Sequence, residues 1–157
     1  MEKQIFFGGS AVVPVTAAGA MRLPRFVRDA LCGRAAGEMI VGAHQTDPCL
    51  VSYPRAHVEN LMRDLDRRRI EEEAKDPDAH YRRARRVFGF AQEISISRHG
   101  RLVLPLGLRR RYGIGRAALL VGIGKKVEIW SLDRASQAAD SNLRALAAAH
   151  AQEGIAS

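Results

Sequence analysis

Apolar and polar residues alternate with two different periods along this chain of 157 residues, and the changes of period mark its elements. Val13 and Val15 alternate with Pro14 and Thr16, the period-two pattern of a strand. Ala18-Gly19 marks a turn. Pro24 then opens a short helix with Phe26, Val27, Ala30 and Leu31 on one side and Gly33 at its end, because proline lacks only an N–H that the first turn leaves unbonded anyway. From Pro54 the period changes: Val58, Leu61, Met62 and Leu65 follow i, i+3, i+4, i+7 and predict a helix closing on Arg67, Arg68 and Arg69, the sign favoured at a helix C-terminus. Glu71 to Glu73 continue as a solvated stretch, and Asp76-Pro77 breaks it. Asp76 is a candidate N-cap for a second helix containing Tyr81, Ala84, Val87 and Phe88. Ile94 and Ile96, then Leu102 and Leu104, alternate again on either side of an Arg98-His99-Gly100 turn. Pro105 opens another short helix closing near Tyr112-Gly113. Ala118–Val121 and Val127–Trp130 predict strands joined at Gly124-Lys125, followed by an Ala-rich helix with Leu143 and Leu146 inward, fraying by Glu153-Gly154.

Two parts of this pattern are copies. Gly19-Ala20-Met21-Arg22-Leu23-Pro24 recurs as Gly100-Arg101-Leu102-Val103-Leu104-Pro105, 81 residues on. Met39-Ile40-Val41 falls opposite Leu120-Val121-Gly122 at the same offset. Leu50 to Tyr53 falls opposite Val127 to Trp130 after a small indel. Each copy must then be the same supersecondary unit. The division is 8–53 for the first repeat, 54–92 for a helical linker, 93–131 for the second repeat and 132–157 for a C-terminal helix and tail. The class is α+β.

Charge sharpens the picture. Arg98, Arg101, Arg109, Arg110, Arg111, Arg116, Lys125 and Lys126 lie between Ile94 and Val127 with no Asp or Glu among them. These eight equal the formal net charge of +8, and the remaining 17 basic residues match the 17 acidic ones. A cationic segment in an otherwise neutral chain points to a polyanion, with nucleic acid the usual one. Arginine supplies 21 of the 25 basic residues, which favours bidentate phosphate or guanine contacts and also follows from genomic base composition. Arg82, Arg83, Arg85 and Arg86 are expected to pair with Glu71 to Glu73 or a neighbouring subunit. Cys32 and Cys49 form no C-x-x-C and are expected as reduced structural thiols in a cytoplasmic protein. The small-residue run Ala11–Met21 is broken by Pro14, and Glu2 spoils a basic n-region, so secretion is not expected; nor is a membrane partner.

The duplicated G-x-x-x-x-P element, Pro48-Cys49-Leu50 with Tyr53-Pro54, Gly100-Arg101-Leu102, Leu119-Leu120-Val121-Gly122 and Val127-Glu128-Ile129-Trp130 together make the chain resemble the MraZ family of bacterial transcriptional regulators, from about Gly8 to His150. The resemblance implies two AbrB-like swapped-hairpin units fused in one chain as a small β-barrel. It also implies a ring-shaped homo-oligomer, double-stranded DNA carrying repeated promoter boxes near division and cell-wall genes, and a nucleoid location. The family signature is D-x-x-G-R. The second copy here is Ser97-Arg98-His99-Gly100-Arg101, with Ser in place of Asp. The first is Thr16-Ala17-Ala18-Gly19-Ala20, which keeps only the glycine. Family members are expected to place the first-copy arginine on DNA, and Ala20 stands at that position.

The candidate DNA-binding residues are therefore Arg101, Arg98, His99, Gly100 and Ser97, with Arg22 and Arg109. Arg101 follows a glycine turn where a hairpin tip presents it to a groove; the alternative is an arginine paired within the barrel. Arg98 and His99 are phosphate contacts or plain turn residues. Arg22, two residues beyond Ala20 and so on its strand face, is a substitute for the missing arginine. Arg109-Arg110-Arg111 is a solvated helix face or a phosphate contact. Ser97 retains an acceptor where the carboxylate is lost. Tyr53 and Trp130, at equivalent places, are expected as core anchors.

No catalytic set emerges. The five histidines form no H-x-x-x-H pair, and His57-Val58-Glu59 lacks the P-C-x-x-C that a zinc deaminase needs, leaving two polar residues on an outer helix face. Neither enzyme activity, a cofactor, a metal nor a small-molecule substrate is expected. A DNA-binding regulator is the first reading. The degraded first signature keeps open an oligomeric scaffold with weakened DNA binding, and an AbrB-like antitoxin is a third reading that the helical linker disfavours.

Overall fold

The structure, a computed structural model, describes residues 5–31 and 38–153. Cys32 and Gly33 lie outside the described residues. Among the described residues the strands are β1 (Phe7–Pro14), β2 (Ala20–Arg22), β3 (Glu38–Ala43), β4 (Leu50–Tyr53), β5 (Gln92–Ser95), β6 (Arg101–Val103), β7 (Ala117–Gly124) and β8 (Val127–Ser131). The helices among them are α1 (Arg25–Ala30), α2 (Val58–Glu72), α3 (Ala79–Gly89), α4 (Leu106–Arg111), α5 (Leu132–Ser136) and α6 (Ser141–Glu153). A 3-10 turn over Arg55–His57 leads into α2. All strand pairs are antiparallel, in a six-stranded sheet ordered β1-β7-β8-β4-β3-β5 and a two-stranded ribbon β2-β6. The fold is mixed, with antiparallel sheets and helices.

The registers tie the two halves of the chain together. β1 pairs with β7 through Val13 and Ala118, while β5 pairs with β3 through Ile94 and Met39. Val13 and Ile94 are equivalent in the repeat, so Met39 corresponds to Ala118, not to Leu120. The constant offset expected for this stretch is off by two. Its cause is the connection from helix to strand, two residues longer between α1 and β3 than between α4 and β7. After that slip, Tyr53 pairs with Ile40 and Trp130 with Leu119, in matching positions. At the centre of β4–β8, Val51 faces Glu128; at the centre of β2–β6, Met21 faces Leu102. Both are pairs of equivalent positions. Exchanging the repeats thus returns the same pairings.

Alternation along the strands sorts side chains into three apolar clusters. Leu50, Ala118, Leu120, Val127 and Ile129 point into the principal core with Phe7, Met21, Leu102 and Leu104. Val51 and Tyr53 point the other way, onto Leu61 and Leu65 of α2 and Val87 of α3. Leu119 and Trp130 likewise pack on Ala135, Leu143 and Ala147 of α5 and α6, with Cys49. The aromatic pair are core anchors in separate clusters, each buried. Leu143 is buried and Leu146 half-buried, as the tail's spacing predicts.

The linker departs from its sequence pattern in several places. Met62, Tyr81 and Phe88 are exposed although their spacing puts them inward, because α2 and α3 meet only one strand face and Leu61, Leu65 and Val87 fill it. α2 runs on to Glu72, leaving only Arg69 in its last turn. α3 starts after Asp78, not Asp76: the Asp76 carboxylate accepts the Asp78 N–H at 3.2 Å and is paired with Arg82, making a turn ahead of the helix. Arg83 pairs with Glu72 at 2.9 Å, within the expected Arg/Glu match. Arg86 instead donates to the carbonyls of His44 and Asp47 at 2.7 and 2.8 Å. His57 is buried edge-on against Tyr53, contrary to an outer-face position, because the 3-10 turn rotates it inward ahead of α2. Glu59 is exposed.

Candidate nucleic-acid interface

The β2–β6 ribbon begins at each end with a four-residue turn, and the two turns are built alike. Thr16 N–H donates to the Ala20 carbonyl at 3.0 Å, Gly19 N–H to the Thr16 carbonyl at 2.9 Å, and Ala20 N–H to Thr16 Oγ1 at 3.0 Å. Ser97 N–H donates to the Arg101 carbonyl at 2.8 Å, Gly100 N–H to the Ser97 carbonyl at 2.9 Å, and Arg101 N–H to Ser97 Oγ at 3.0 Å. Thr16 and Ser97 thus do one job, supplying the side-chain acceptor that closes the turn. Thr16 was not singled out by its residue type; its alignment with Ser97 at the repeat offset is the signal.

Gly19 and Gly100 both have positive φ, 88° and 78°, which lets the chain reverse tightly into the ribbon. Each turn also crosses to the other repeat. Leu23 N–H donates to the Gly100 carbonyl at 2.8 Å, and Leu104 N–H to the Gly19 carbonyl at 2.9 Å.

Between the turns, Met21 and Leu102 point into the core while Ala20, Arg22, Arg101 and Val103 lie on the outward side. Arg22 and Arg101 are cross-strand partners at the Ser97–Gly100 end of the ribbon. Ala20 and Val103 are partners at the Thr16–Gly19 end. Arg22 Nε donates to the His99 carbonyl at 3.2 Å, and Arg98 and His99 are exposed beside it. Among the described residues, Arg22, Arg98 and Arg101 have no carboxylate partner within salt-bridge distance. The structure therefore gathers Ser97, Arg98, His99, Gly100, Arg101 and Arg22 at one end.

Arg109 is placed elsewhere. Its Nε donates to the Leu104 carbonyl at 3.1 Å and a terminal nitrogen donates to the Ala17 carbonyl at 3.4 Å, so its guanidinium spans the opposite turn. The rest of the cationic segment is dispersed as well. Arg111 stacks on Phe90, 4.4 Å from the ring centroid. Lys126 has Asp64 and Glu128 as neighbouring charges, and burial lowers its pKa despite their pull in the other direction.

His44 and Asp47 of the β3–β4 loop and Glu128 of β8 bring ligand atoms within 4.8 Å of one another. His44 Nδ1 accepts the backbone N–H groups of Thr46 and Asp47 at 3.1 and 2.9 Å, so the ring proton resides on Nε2, 3.1 Å from the Glu128 carboxylate. A cation at Nε2 must displace a proton that Nδ1 has no room to take. The donor set thus serves the β3–β4 loop. Burial acts to raise the Glu128 pKa, but hydrogen bonds from His44 and Trp130 with the Lys126 charge bring it below the usual carboxylate value.

A profile described as "MraZ protein, putative antitoxin-like" matches residues 87–154. "Transcriptional regulator MraZ" of Saccharophagus degradans is 33% identical over 125 residues, 80% of this chain and 82% of that relative. The protein of the same name from Pseudomonas syringae pv. tomato is 32% identical over 143 residues, 89% of each chain. That of Alcanivorax borkumensis is 32% identical over 125 residues, 79% of this chain and 82% of its own. With about a third of its residues shared across most of each relative's length, the chain belongs to the MraZ family.

Proposed function

We propose that this chain is a DNA-binding transcriptional regulator whose contact edge is the Ser97–Gly100 end of the β2–β6 ribbon. The observation that carries it is the cross-strand placement of Arg22 and Arg101 beside Arg98, with no carboxylate within salt-bridge distance among the described residues. Like charges directly opposite on neighbouring strands destabilise a ribbon, and a polyanion laid across them reverses that cost. Relatives named as transcriptional regulators support the same role. Arg101 reads base edges; Arg98, His99 and Arg22 hold phosphates; Gly100 and Ser97 shape the turn. Arg109 acts from the opposite turn.

The exchange symmetry of the registers supports two AbrB-like swapped-hairpin units, 8–53 and 93–131, closing a small β-barrel. The helical segment 54–92 links them, and 132–157 follows as helix and tail. One short ribbon has few contacts to offer, so affinity comes from several subunits of a homo-oligomeric ring engaging repeated promoter boxes together. Division and cell-wall genes are the proposed targets, and the cytoplasmic nucleoid the place of action. No helix among the described residues is long and apolar enough to cross a membrane.

Ala20 favours a second reading, a scaffold of the same fold with weakened DNA binding, since the outward pair at that end is Ala20 and Val103. Fluorescence anisotropy with DNA from upstream of the chain's own gene, titrated with salt, separates the two. The regulator loses affinity steeply with salt, and the Arg101→Ala variant binds weakly. Absent or salt-insensitive binding favours the scaffold.

A further inference from the structure

The two repeats do more than sit side by side: a helix of each touches the turn of the other. Arg28, in α1 of the first repeat, donates from Nε to the Leu23 carbonyl at 3.0 Å. The N–H of the same Leu23 holds the Gly100 carbonyl at 2.8 Å. The Arg28 stem lies over the second repeat's turn: a Cβ built on Gly100 would be 2.7 Å from Arg28 Cδ and 3.3 Å from Cγ. The mirror arrangement is present at the other end. Arg109 Nε donates to the Leu104 carbonyl, Leu104 N–H holds the Gly19 carbonyl, and the Arg109 guanidinium covers Gly19. Arg28 and Arg109 stand at the repeat offset, each four residues after its proline.

Only one of these two braces supports a cationic edge. The Gly100 turn carries Arg98, His99 and Arg101; the Gly19 turn carries Ala17, Ala18 and Ala20. We propose that Arg28 is a positioning residue for the DNA-contact edge, with its stem and Nε–H fixing the Ser97–Gly100 turn of the opposite repeat and its charge dispensable for DNA. The proposal rests on the reading of that edge as the DNA contact. The Ser97–Gly100 turn, held by two backbone bonds and the Ser97 hydroxyl, opens locally more readily when uncovered, and Arg28 covers it while holding Leu23, whose N–H bonds the Gly100 carbonyl. Base-edge contacts depend on where Arg101 is aimed, so loosening the turn lowers affinity without removing a phosphate contact.

Glutamine separates stem and donor from charge. In Arg28→Gln the amide NH2 falls at the chain position of Nε and the carbon before it at Cδ, while the positive charge is gone. Wild type, Arg28→Ala and Arg28→Gln are compared by anisotropy salt titration on the upstream DNA, with amide hydrogen exchange of residues 97–101 in the free protein. For Arg28→Ala, the expected result is a roughly fivefold to tenfold weaker affinity with an unchanged salt slope and faster exchange in the turn. For Arg28→Gln, affinity and exchange return close to wild type. If Arg28→Gln binds as weakly as Arg28→Ala and the slope drops by about 0.9 for both, Arg28 is a phosphate contact and the proposal is overturned. Unchanged exchange in Arg28→Ala also overturns it. Exchange is read without DNA, so a wild-type protein that fails to bind refutes the DNA reading while the brace is still decided.

Discussion

Arg22 and Arg101 face each other across the β2–β6 ribbon although they hold different places in the two repeats. The repeat partner of Arg101 is Ala20, and that of Arg22 is Val103. Exchange of the repeats therefore maps the Arg–Arg pair onto the Ala–Val pair. A single step of two residues, from position 20 to position 22, moves the first repeat's arginine across to the second repeat's turn. Two cations that a symmetric duplication would place at opposite ends stand together at one.

That pairing makes both stability and binding depend on salt. Arg22→Ala removes a cross-strand repulsion worth about 0.2–1 kcal/mol at low salt together with the exposed hydrogen bond to the His99 carbonyl, and its stability relative to wild type is expected to fall as salt is added and the repulsion is screened. The same change lowers DNA affinity and reduces the salt slope by about 0.9. Arg101→Ala costs about 1–3 kcal/mol of binding, roughly 5- to 150-fold. Urea melts and anisotropy on the two single variants and the double variant measure both effects. Restoring the family position with Ala20→Arg tests the assignment: a rise in affinity combined with no effect of Arg101→Ala would falsify the choice of edge.

The turn hydroxyls carry a separate expectation. Ser97→Ala leaves the Arg101 N–H without its side-chain acceptor in an exposed turn, at a cost of about 0.5–1.5 kcal/mol. Thr16→Ala does the same for Ala20 N–H. Ser97→Asp supplies a carboxylate to that N–H, a stronger acceptor, and should raise the melting temperature above that of Ser97→Ala. Thermal melts followed by circular dichroism give the order.

Glycines in turn and helix should behave oppositely. Gly100 has φ of 78° and faces the Arg28 stem, so Gly100→Ala is expected to destabilise by about 1–3 kcal/mol. Gly107 lies in α4 with open space where its Cβ would be, and Gly107→Ala should stabilise by roughly 0.5–1 kcal/mol. Urea midpoints of opposite sign are the expected result.

Acidification should act through His57 before any carboxylate. Burial, with Lys126 and Lys125 nearby, holds its pKa below the ordinary 6.5 against the opposing pull of Asp64. The unfolded chain therefore takes up a proton first, and stability falls as pH drops below 6.5 until the folded form also protonates. Glu128, held below its ordinary 4.5, adds stability that is complete above 4.5 and disappears as pH falls through its folded value. Urea midpoints across pH should lose the first slope in His57→Gln and keep the second. If His57→Gln retains the upper slope, His57 is not its source.

Both turns and the short strand after each were legible because a glycine turn followed by apolar alternation occurs twice, and each copy corroborates the other; that the two strands pair was not. The alternation of Leu102 and Leu104 matches their burial, and the equivalent repeat positions of Tyr53 and Trp130 mark both as core anchors. Less could be read from the linker. Met62, Tyr81 and Phe88 have helical spacing but remain exposed, since periodicity says which residues share a face and not how much partner surface meets it. His57 was misplaced because a 3-10 turn advances differently from an α-helix. Arg109 counted as one more cation in a basic run, while its role as a brace depends on carbonyls 5 and 92 residues away.

The chain by itself determined the local units: which segments alternate, where glycine and proline stop them, and that two of them are copies. Those properties depend on neighbours a few residues apart, so composition and spacing carry them. Only the tertiary structure decided which cations stand together. The basic residues between Ile94 and Val127 are dispersed among a turn, a helix brace, an aromatic ring and a loop, and Arg22, which stands opposite Arg101, comes from the other repeat. Pairing between β2 and β6 spans about half the chain, and no local pattern specifies the register that sets Arg22 against Arg101. That register follows from burying Met21 and Leu102 against one core, a condition satisfied only when both repeats fold together.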